Sequence, residues 1–457
     1  MAKNYKIADI TKRLLLNVDF EKFLSFGYFS KIPQKQLFYG YLSYILFGTI
    51  LLCLPFAQKQ YTHIIDNFFV ATSAISTTGL NTVSTADNYT LFGQIVILLL
   101  IQFGGIGYMT LSSFVILKIT NELPVTQTEI LSTGFSIPQE FEIKTLVRGI
   151  IIFTFVFELL GAVGLFFVFI QSGANQPVWN AIFHSISAFC TAGFGLYNDS
   201  FEQYKLNIPL NIIIAILSYA GGIGFIVLMD LWKKVTGKIQ HITFTSKLIL
   251  LITLILSIFG TIQLYIFEPS IQEFDDYSKL TIAFFQSMSA ITTVGFNTIS
   301  IQALHPSSLM TIIILMYIGA SPSGTGGGMK STTFTAVSAY IFNKLSLKNG
   351  VSLFGNKIPE YRVQAALSTF IFYTSILFIG AYFLTFSENF NLIQLLFEAS
   401  SALGTVGLST GITSSLSTFG KLIIILLMYI GRVGVITFGN ALLIKYQKEI
   451  KESDIAI

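Results

Sequence analysis

The chain has 457 residues, of which 53% are hydrophobic and only 11% charged, against ~25% charged in ordinary globular domains, and mean hydropathy is +0.71. So few charges cannot coat a soluble particle of this size, so a polytopic membrane protein is expected, not the about three soluble domains that length alone suggests. Two cysteines in apolar runs exclude a disulfide scaffold, four scattered histidines argue against a Cys/His metal site, and a net charge of +4 is too small and dispersed for nucleic acid.

Residues 1–38 are polar and basic and read as a cytoplasmic N-terminal segment, not a cleavable signal. Four units follow, each with two long apolar runs suited to spanning a bilayer at ~20 residues apiece. Repeat 1 covers 39–119, with runs near 39–57 and 92–118. Repeat 2 covers 146–236, with runs near 148–170 and 208–232. Repeat 3 covers 246–347, with runs near 247–267 and 307–343. Repeat 4 covers 364–446, with runs near 364–385 and 419–444, and 447–457 is a cytoplasmic tail. Between the runs of each pair lies a shorter apolar segment, near 66–76, 179–190, 280–291 and 391–403. Helices this short cannot cross ~30 Å, so each reads as a re-entrant half-helix. The expected fold is an all-α membrane protein with four tandem helix–pore-helix–helix repeats, pseudo-fourfold around one pore. It has eight spanning helices plus four re-entrant half-helices.

The half-helices share a string, S-A-x-x-T-x-G-[LF]. It ends in Thr77-Thr78-Gly79-Leu80, Thr191-Ala192-Gly193-Phe194, Thr293-Val294-Gly295-Phe296 and Thr405-Val406-Gly407-Leu408. A Phe stands four residues before each Ser: Phe69, Phe183, Phe285 and Phe397. Small residues are common in membrane helices, which explains one such string but not four in register. A second repeat follows at Gly104, Gly221, Gly319 and Gly431, where small residues suit close helix packing. A cation entering a membrane must exchange its hydration shell, and rings of backbone carbonyls from four T-V-G-Y-G-type loops do this for K⁺. The Gly supplies the φ > 0 that lets consecutive carbonyls face inward. The half-helices aim their partially negative C-terminal ends at the pore.

Further along, 319–331 interrupts the third long helix with five Gly and a Pro, which cannot stay regular helix. Irregular backbone at membrane depth is tolerated where it is buried in protein or lines a watery cavity. A gate just under the filter meets both conditions, built from Gly319, Ser321, Pro322, Gly324, Thr325, Gly326, Gly327, Gly328 and Lys330. A simple kink is the plainer alternative. A phosphate-binding P-loop is disfavoured because Met329, not Gly, precedes Lys330. Arg432 lies too deep in its helix to snorkel and reads as a pore-facing charge beside that loop, with a structural ion pair as the alternative. Glu158 and Glu398 read as hydrogen-bonded structural acids, Asp230 as an ordinary helix-end residue and His184 as packing. Of the 27 Lys and Arg, 21 fall in the segments that are cytoplasmic if the N-terminus is, and four (Lys59, Lys205, Lys279, Lys421) fall outside.

With these motifs the chain resembles the Trk/Ktr/HKT superfamily of potassium transporters, over about residues 39–446. The lack of two extra N-terminal spans favours the Ktr type, the membrane subunit of bacterial Ktr uptake systems. The resemblance implies a homodimer with one pore per protomer. It also implies a cytoplasmic nucleotide-binding regulatory ring (KtrA-like), K⁺ held by filter carbonyls, and Na⁺ as an activator. No nucleotide is bound by this chain itself. The location it implies is the bacterial plasma (inner) membrane, multi-pass amid lipid, with both termini cytoplasmic. It places an intramembrane loop at 319–331 and a functional Arg at 432. Plant members with Ser at the first aligned Gly prefer sodium, so Gly79 argues for K⁺. Asn81, Gly195, Asn297 and Ser409 occupy the position where a full filter has Gly, so fewer ordered ion sites are expected. A Na⁺-coupled or Na⁺-activated transporter and the K⁺ subunit of a pump complex stay open. No Ser/His/Asp, H-E-x-x-H or paired-carboxylate set points to an enzyme.

Overall fold

The computed structural model describes residues 32–120, 143–347 and 350–443, with positions 123, 128, 129 and 131. Most of the N-terminal segment, much of the link between repeats 1 and 2, and the tail lie outside the described residues, as do the expectations placed on them. The first unit holds α1 (Pro33–Leu52), the half-helix α2 (Ile64–Ile75), α3 (Leu91–Ile106) and α4 (Tyr108–Thr120). The second holds α5 (Ile143–Gln171), the half-helix α6 (Pro177–Phe189), α7 (Ile208–Gly222) and α8 (Phe225–Val235). The third holds α9 (Phe244–Phe267), the half-helix α10 (Asp276–Thr292), α11 (Pro306–Tyr317) and α12 (Ser331–Leu345). A two-stranded hairpin, β1 (Ser352–Leu353) with β2 (Asn356–Lys357), leads to the fourth. That unit holds α13 (Glu360–Ser387), the half-helix α14 (Leu392–Gly404), α15 (Thr418–Val433) and α16 (Val435–Leu443).

Local chemistry sets the helix starts. Pro occupies the first turn of α1, α6, α7 and α11, where a missing N–H costs nothing. Asn207 and Ser417 side chains accept from the amides of Leu210 and Gly420 at the heads of α7 and α15. Asp275 caps α10 through Ser278 N, which starts that half-helix ahead of its apolar run and makes it 17 residues long.

One expectation needs correction. The sequence points to a single interrupted helix, in repeat 3, yet all four second helices are interrupted. α3 and α4 meet at 79°, α7 and α8 at 102°, and α15 and α16 at 98°. Each break carries a glycine at positive φ: Gly107 (84°), Gly224 (92°) and Gly434 (90°). That backbone leaves the helical path and costs a side chain dearly. A single Gly inside an unbroken apolar run gives no warning of this, whereas five Gly in 319–328 do. By length and hydropathy α5, α9 and α13 can each cross a membrane, and each of the three bent pairs passes the same test when counted as one broken span. α1 and the α11–α12 arm occupy the remaining two positions in chain order.

The half-helices sit at the centre. Each packs on the second helix of the preceding unit: α6 on α3, α10 on α7, α14 on α11, and α2 on α15. This order closes on itself. Phe69, Phe183, Phe285 and Phe397 are all fully buried. A Cβ on Gly104 would strike the carbonyl of Ile75, one on Gly221 that of Phe189, and one on Gly431 that of Leu403. Small residues there let each second helix touch the end of its own half-helix.

Candidate cation pathway

The S-A-x-x-T-x-G spacing is a helix ending. Thr77 N donates to Ala74 O (3.1 Å) and Thr78 N to Ser73 O (2.9 Å). The same pair recurs as Thr191 to Ala188 with Ala192 to Ser187, Thr293 to Ala290 with Val294 to Ser289, and Thr405 to Ala402 with Val406 to Ser401. These are the two bonds of a Schellman cap, which requires a left-handed residue between them. That residue is the threonine, with φ of 54° at Thr77, 48° at Thr191, 60° at Thr293 and 51° at Thr405. The glycine two residues on also has positive φ: 97°, 66°, 80° and 96° at Gly79, Gly193, Gly295 and Gly407. The sequence reading assigned positive φ to the glycines alone.

The four loops form a closed cycle. A Cβ on Gly79 would strike the carbonyl oxygen of Ala192, and one on Gly193 that of Val294. One on Gly295 would strike that of Val406, and one on Gly407 that of Thr78. Thus each glycine abuts the next loop, and the fourth abuts the first.

On one face the cycle is stopped by the loop between α11 and α12. Thr77 Oγ1 donates to Thr325 O (3.2 Å), and Thr191 Oγ1 lies 3.0 Å from Thr325 Oγ1. Gly327 N donates to Thr405 Oγ1 (2.7 Å). Thr293 Oγ1 is fully buried with no partner among the described residues, and a Cβ on Gly326 would collide with it. Lys330 Nζ donates to the carbonyls of Gly326 (2.7 Å) and Gly327 (3.2 Å). Arg432 donates to Thr77 Oγ1 (3.0 Å), Thr325 O and Gly104 O. Its partners are neutral oxygens, and among the described residues it has no carboxylate within ion-pair distance. Ser321 N and Thr325 N donate to Gly222 O and Gly221 O, and Ser331 Oγ meets Ser321 Oγ. Gly319, Gly324 and Gly328 lie against backbone carbonyls, and Pro322 O lies against Gly224. A cavity of about 240 Å³ opens under this loop, lined by Lys330, Arg432, Tyr41 and Tyr373 among others.

The opposite face opens into a cavity of about 320 Å³ lined by Gly79, Gly193, Gly295 and Gly407 with Asn81, Asn198, Asn297 and Ser200. Its lining is neutral. Asn81 Nδ2 donates to Gly79 O (3.1 Å), and Ser289 Oγ to Phe296 O (2.6 Å), so two loop carbonyls are already engaged. Asn297 is gripped by the preceding unit, through Ser200 Oγ, Phe201 N and Glu202 Oε1. Burial and neighbouring Asp199 raise the Glu202 carboxyl above its ordinary range.

Behind the loops the repeats differ. Ser73 Oγ and Ser401 Oγ accept from Gly79 N (3.1 Å) and Gly407 N (3.0 Å), whereas Ser187 Oγ is buried without a partner among the described residues. In repeat 2 a histidine instead holds the segment beyond the motif, at Leu196. His184 Nε2 accepts from Leu196 N (3.2 Å) while Nδ1 lies 2.8 Å from Asn180 O, and the ring stacks on Tyr197. These two bonds require the neutral tautomer protonated at Nδ1. The sequence reading took His184 for packing. Its place three residues before the motif Ser carried the only hint. Glu398, fully buried, accepts from Ser409 Oγ (2.5 Å), Thr410 N (3.0 Å) and Thr413 Oγ1 (2.9 Å), and so pins the strand after Leu408. Glu158 accepts both bonds from Gln102 Nε2 (2.9 and 3.1 Å) and a longer one from Cys190 Sγ (3.7 Å), the residue before Thr191.

The family model described as TrkH, cation transport protein, matches residues 41–449. Ktr system potassium uptake protein B of Bacillus subtilis is 32% identical over 427 residues, 92% of this chain and 95% of that one. Potassium/sodium uptake protein NtpJ of Enterococcus hirae is 34% identical over 425 residues, 90% of this chain and 93% of that one. The crystal structure of the potassium transporter TrkH from Vibrio parahaemolyticus superposes with a TM-score of 0.67 at 20% identity, covering 89% of this chain and 85% of that one. The fold is therefore that of TrkH, and the chain belongs to the TrkH family of cation transport proteins.

Proposed function

We infer that this chain is a potassium uptake protein that passes K⁺ inward through the four-loop cycle. The filter is formed by the backbone carbonyls of 77–80, 191–194, 293–296 and 405–408. The loop 319–331, with Lys330 and Arg432, is its gate. The closed cycle of four T-x-G loops, stopped on one face by 325–327, carries this reading. The Lys/Arg distribution supports a cytoplasmic loop face and cytoplasmic termini, with the neutral vestibule outside, and the bacterial relatives support a bacterial plasma (inner) membrane as the location. The membrane potential, ~2.3 kcal/mol per charge per 100 mV, sustains roughly fifty-fold accumulation without ATP hydrolysis by this chain. Two engaged carbonyls among the loops support fewer ordered ion sites than four full rings hold. The Bacillus relative is named as part of a Ktr system, which supports a partner subunit; our reading makes that partner a KtrA-like nucleotide-binding ring and this chain a homodimer.

The Enterococcus relative is named for potassium and sodium, so a second reading has Na⁺ as co-ion or activator. Flux of K⁺ and Na⁺ into liposomes holding the purified chain separates the two, because a strict Na⁺ requirement for K⁺ flux selects the second. In the same assay Gly79, Gly193, Gly295 and Gly407, each replaced by Ser, lose K⁺ affinity or K⁺/Na⁺ discrimination. Four variants with unchanged affinity and ion preference would remove the filter assignment.

A further inference from the structure

The gate loop rests on the break between α7 and α8, and α8 continues from there to a basic surface. Phe225 N donates to Ser323 O (3.1 Å) and Ile226 N to Ser323 Oγ (3.2 Å), so the free amides at the head of α8 hold Ser323. Ser323 has φ of 58°, a shape kept only where its surroundings fix it. From that end α8 runs at 102° to α7, which lays it near the membrane plane if α7 spans. Its first six residues, Phe225 to Asp230, are buried. Its far end is different. Trp232 is 54% exposed and edge-packed on Phe153 of α5, and Val235 is 83% exposed. Lys233 and Lys234 close the last turn, Lys238 follows in the Schellman cap, and no acid occurs from 231 to 267. Asp230 stands just before this turn. It is buried and accepts from Thr243 N, Thr243 Oγ1 and Ser246 Oγ, closing the turn from α8 to α9. A tryptophan beside lysines at the end of an in-plane amphipathic helix is the pattern that binds the headgroup layer.

We propose that Trp232, Lys233, Lys234 and Lys238 form a binding site for anionic phospholipid headgroups, and that α8 transmits its occupancy to the gate loop through Ser323. This rests on the reading of 319–331 as a gate and of 233–247 as cytoplasmic. Headgroups that draw the far end of α8 into the surface tilt its head away from the filter. Ser323 is bonded to that head, so segment 321–325 follows and leaves the threonine hydroxyls. Anionic lipid therefore opens the gate. Each lysine near an anionic surface biases the equilibrium by roughly five-fold.

The test is rubidium flux through the full chain in vesicles of phosphatidylcholine alone or mixed with equal phosphatidylglycerol. The expected result is flux at least about five-fold higher in the anionic vesicles. The response falls to less than about two-fold in the Lys233→Gln/Lys234→Gln/Lys238→Gln variant. Lys279→Gln, on the opposite face, keeps it. In Trp179→Phe protein, Trp232 is the one tryptophan left, and brominated phosphatidylglycerol quenches it more than brominated phosphatidylcholine does. Ser323→Ala retains that quenching but responds less in flux. Equal flux in both vesicles, with Arg432→Ala still raising flux, overturns the lipid site and leaves the gate standing. A response unchanged in the triple variant also overturns it, as does one seen only after an acidic cytoplasmic protein is added. If neither lipid nor Arg432→Ala alters flux, the gate reading fails and this proposal fails with it.

Discussion

A β-branched residue in the left-handed region costs roughly 1–2 kcal/mol, and Thr77, Thr191, Thr293 and Thr405 all adopt it. Their hydroxyls supply a physical reason, since three of them hold the loop beneath. Thr293 does not, and Gly326 is spare of a side chain because Thr293 Oγ1 is in the way. Gly326→Ala is expected to dislodge the loop and raise basal rubidium flux several-fold. Adding Thr293→Ala should return part of the closure, and a double variant as leaky as the single one would show that the contact does not matter. His184 tests the other side of the cycle. His184→Phe keeps the ring stacking but takes the acceptor from the half-buried Leu196 N–H, a cost of about 1 kcal/mol. K⁺/Na⁺ discrimination should fall by at least about five-fold with protein yield maintained. Unchanged discrimination would return His184 to simple packing.

Among the elements, α2 and α15 come from opposite ends of the chain yet must meet for the cycle to close. Lys421 of α15 and Asp66 of α2 join them at 2.7 Å with both side chains largely buried. Removing one partner of a buried pair strands the other charge, at about 3 kcal/mol. Lys421→Met should therefore lower the apparent melting temperature clearly in detergent. Lys421→Met with Asp66→Asn should recover most of the loss, because no lone charge remains. If the single and double variants melt alike, the pair is not what fastens these helices. The broken second helices belong to the same scale. Their glycines turn α4, α8 and α16 aside under the cycle, which makes room for the loop that α11 and α12 supply.

At the scale of the whole molecule, Arg432 ties three elements together. Its guanidinium is always charged and spans from the Thr77 loop to the 319–331 loop and to Gly104. On the proposed reading of that loop as a gate, at ~6 Å with an effective dielectric of ~20 it would repel a passing K⁺ by ~3 kcal/mol. Arg432→Ala removes both the repulsion and the three hydrogen bonds that tie Thr77, Thr325 and Gly104 together. Maximal rubidium flux should rise strongly, with ion preference nearly intact because the filter carbonyls are untouched. Arg432→Lys should fall between, since it keeps the charge and loses the forked donors. Lower flux from well-folded Arg432→Ala protein would sink the barrier and give Arg432 a structural role.

The sequence by itself determined the four half-helices and their ends, because the Schellman bonds join residues three and five apart and depend on local residue type. It also determined that 319–331 cannot be helix and that a charge lies deep at 432. It did not reveal that the threonines take the left-handed shape, since β-branching argues against it. It hid three of the helix breaks, since one Gly in an apolar run reads as continuous helix. The packed fold alone sets which loop touches which, that Arg432 binds neutral oxygens, and that His184 accepts from Leu196 N. Those contacts link distant residues, such as Thr77 and Thr325 at a separation of 248. No local propensity encodes such a pairing; it exists only once eight long arms have packed and brought the four loops together.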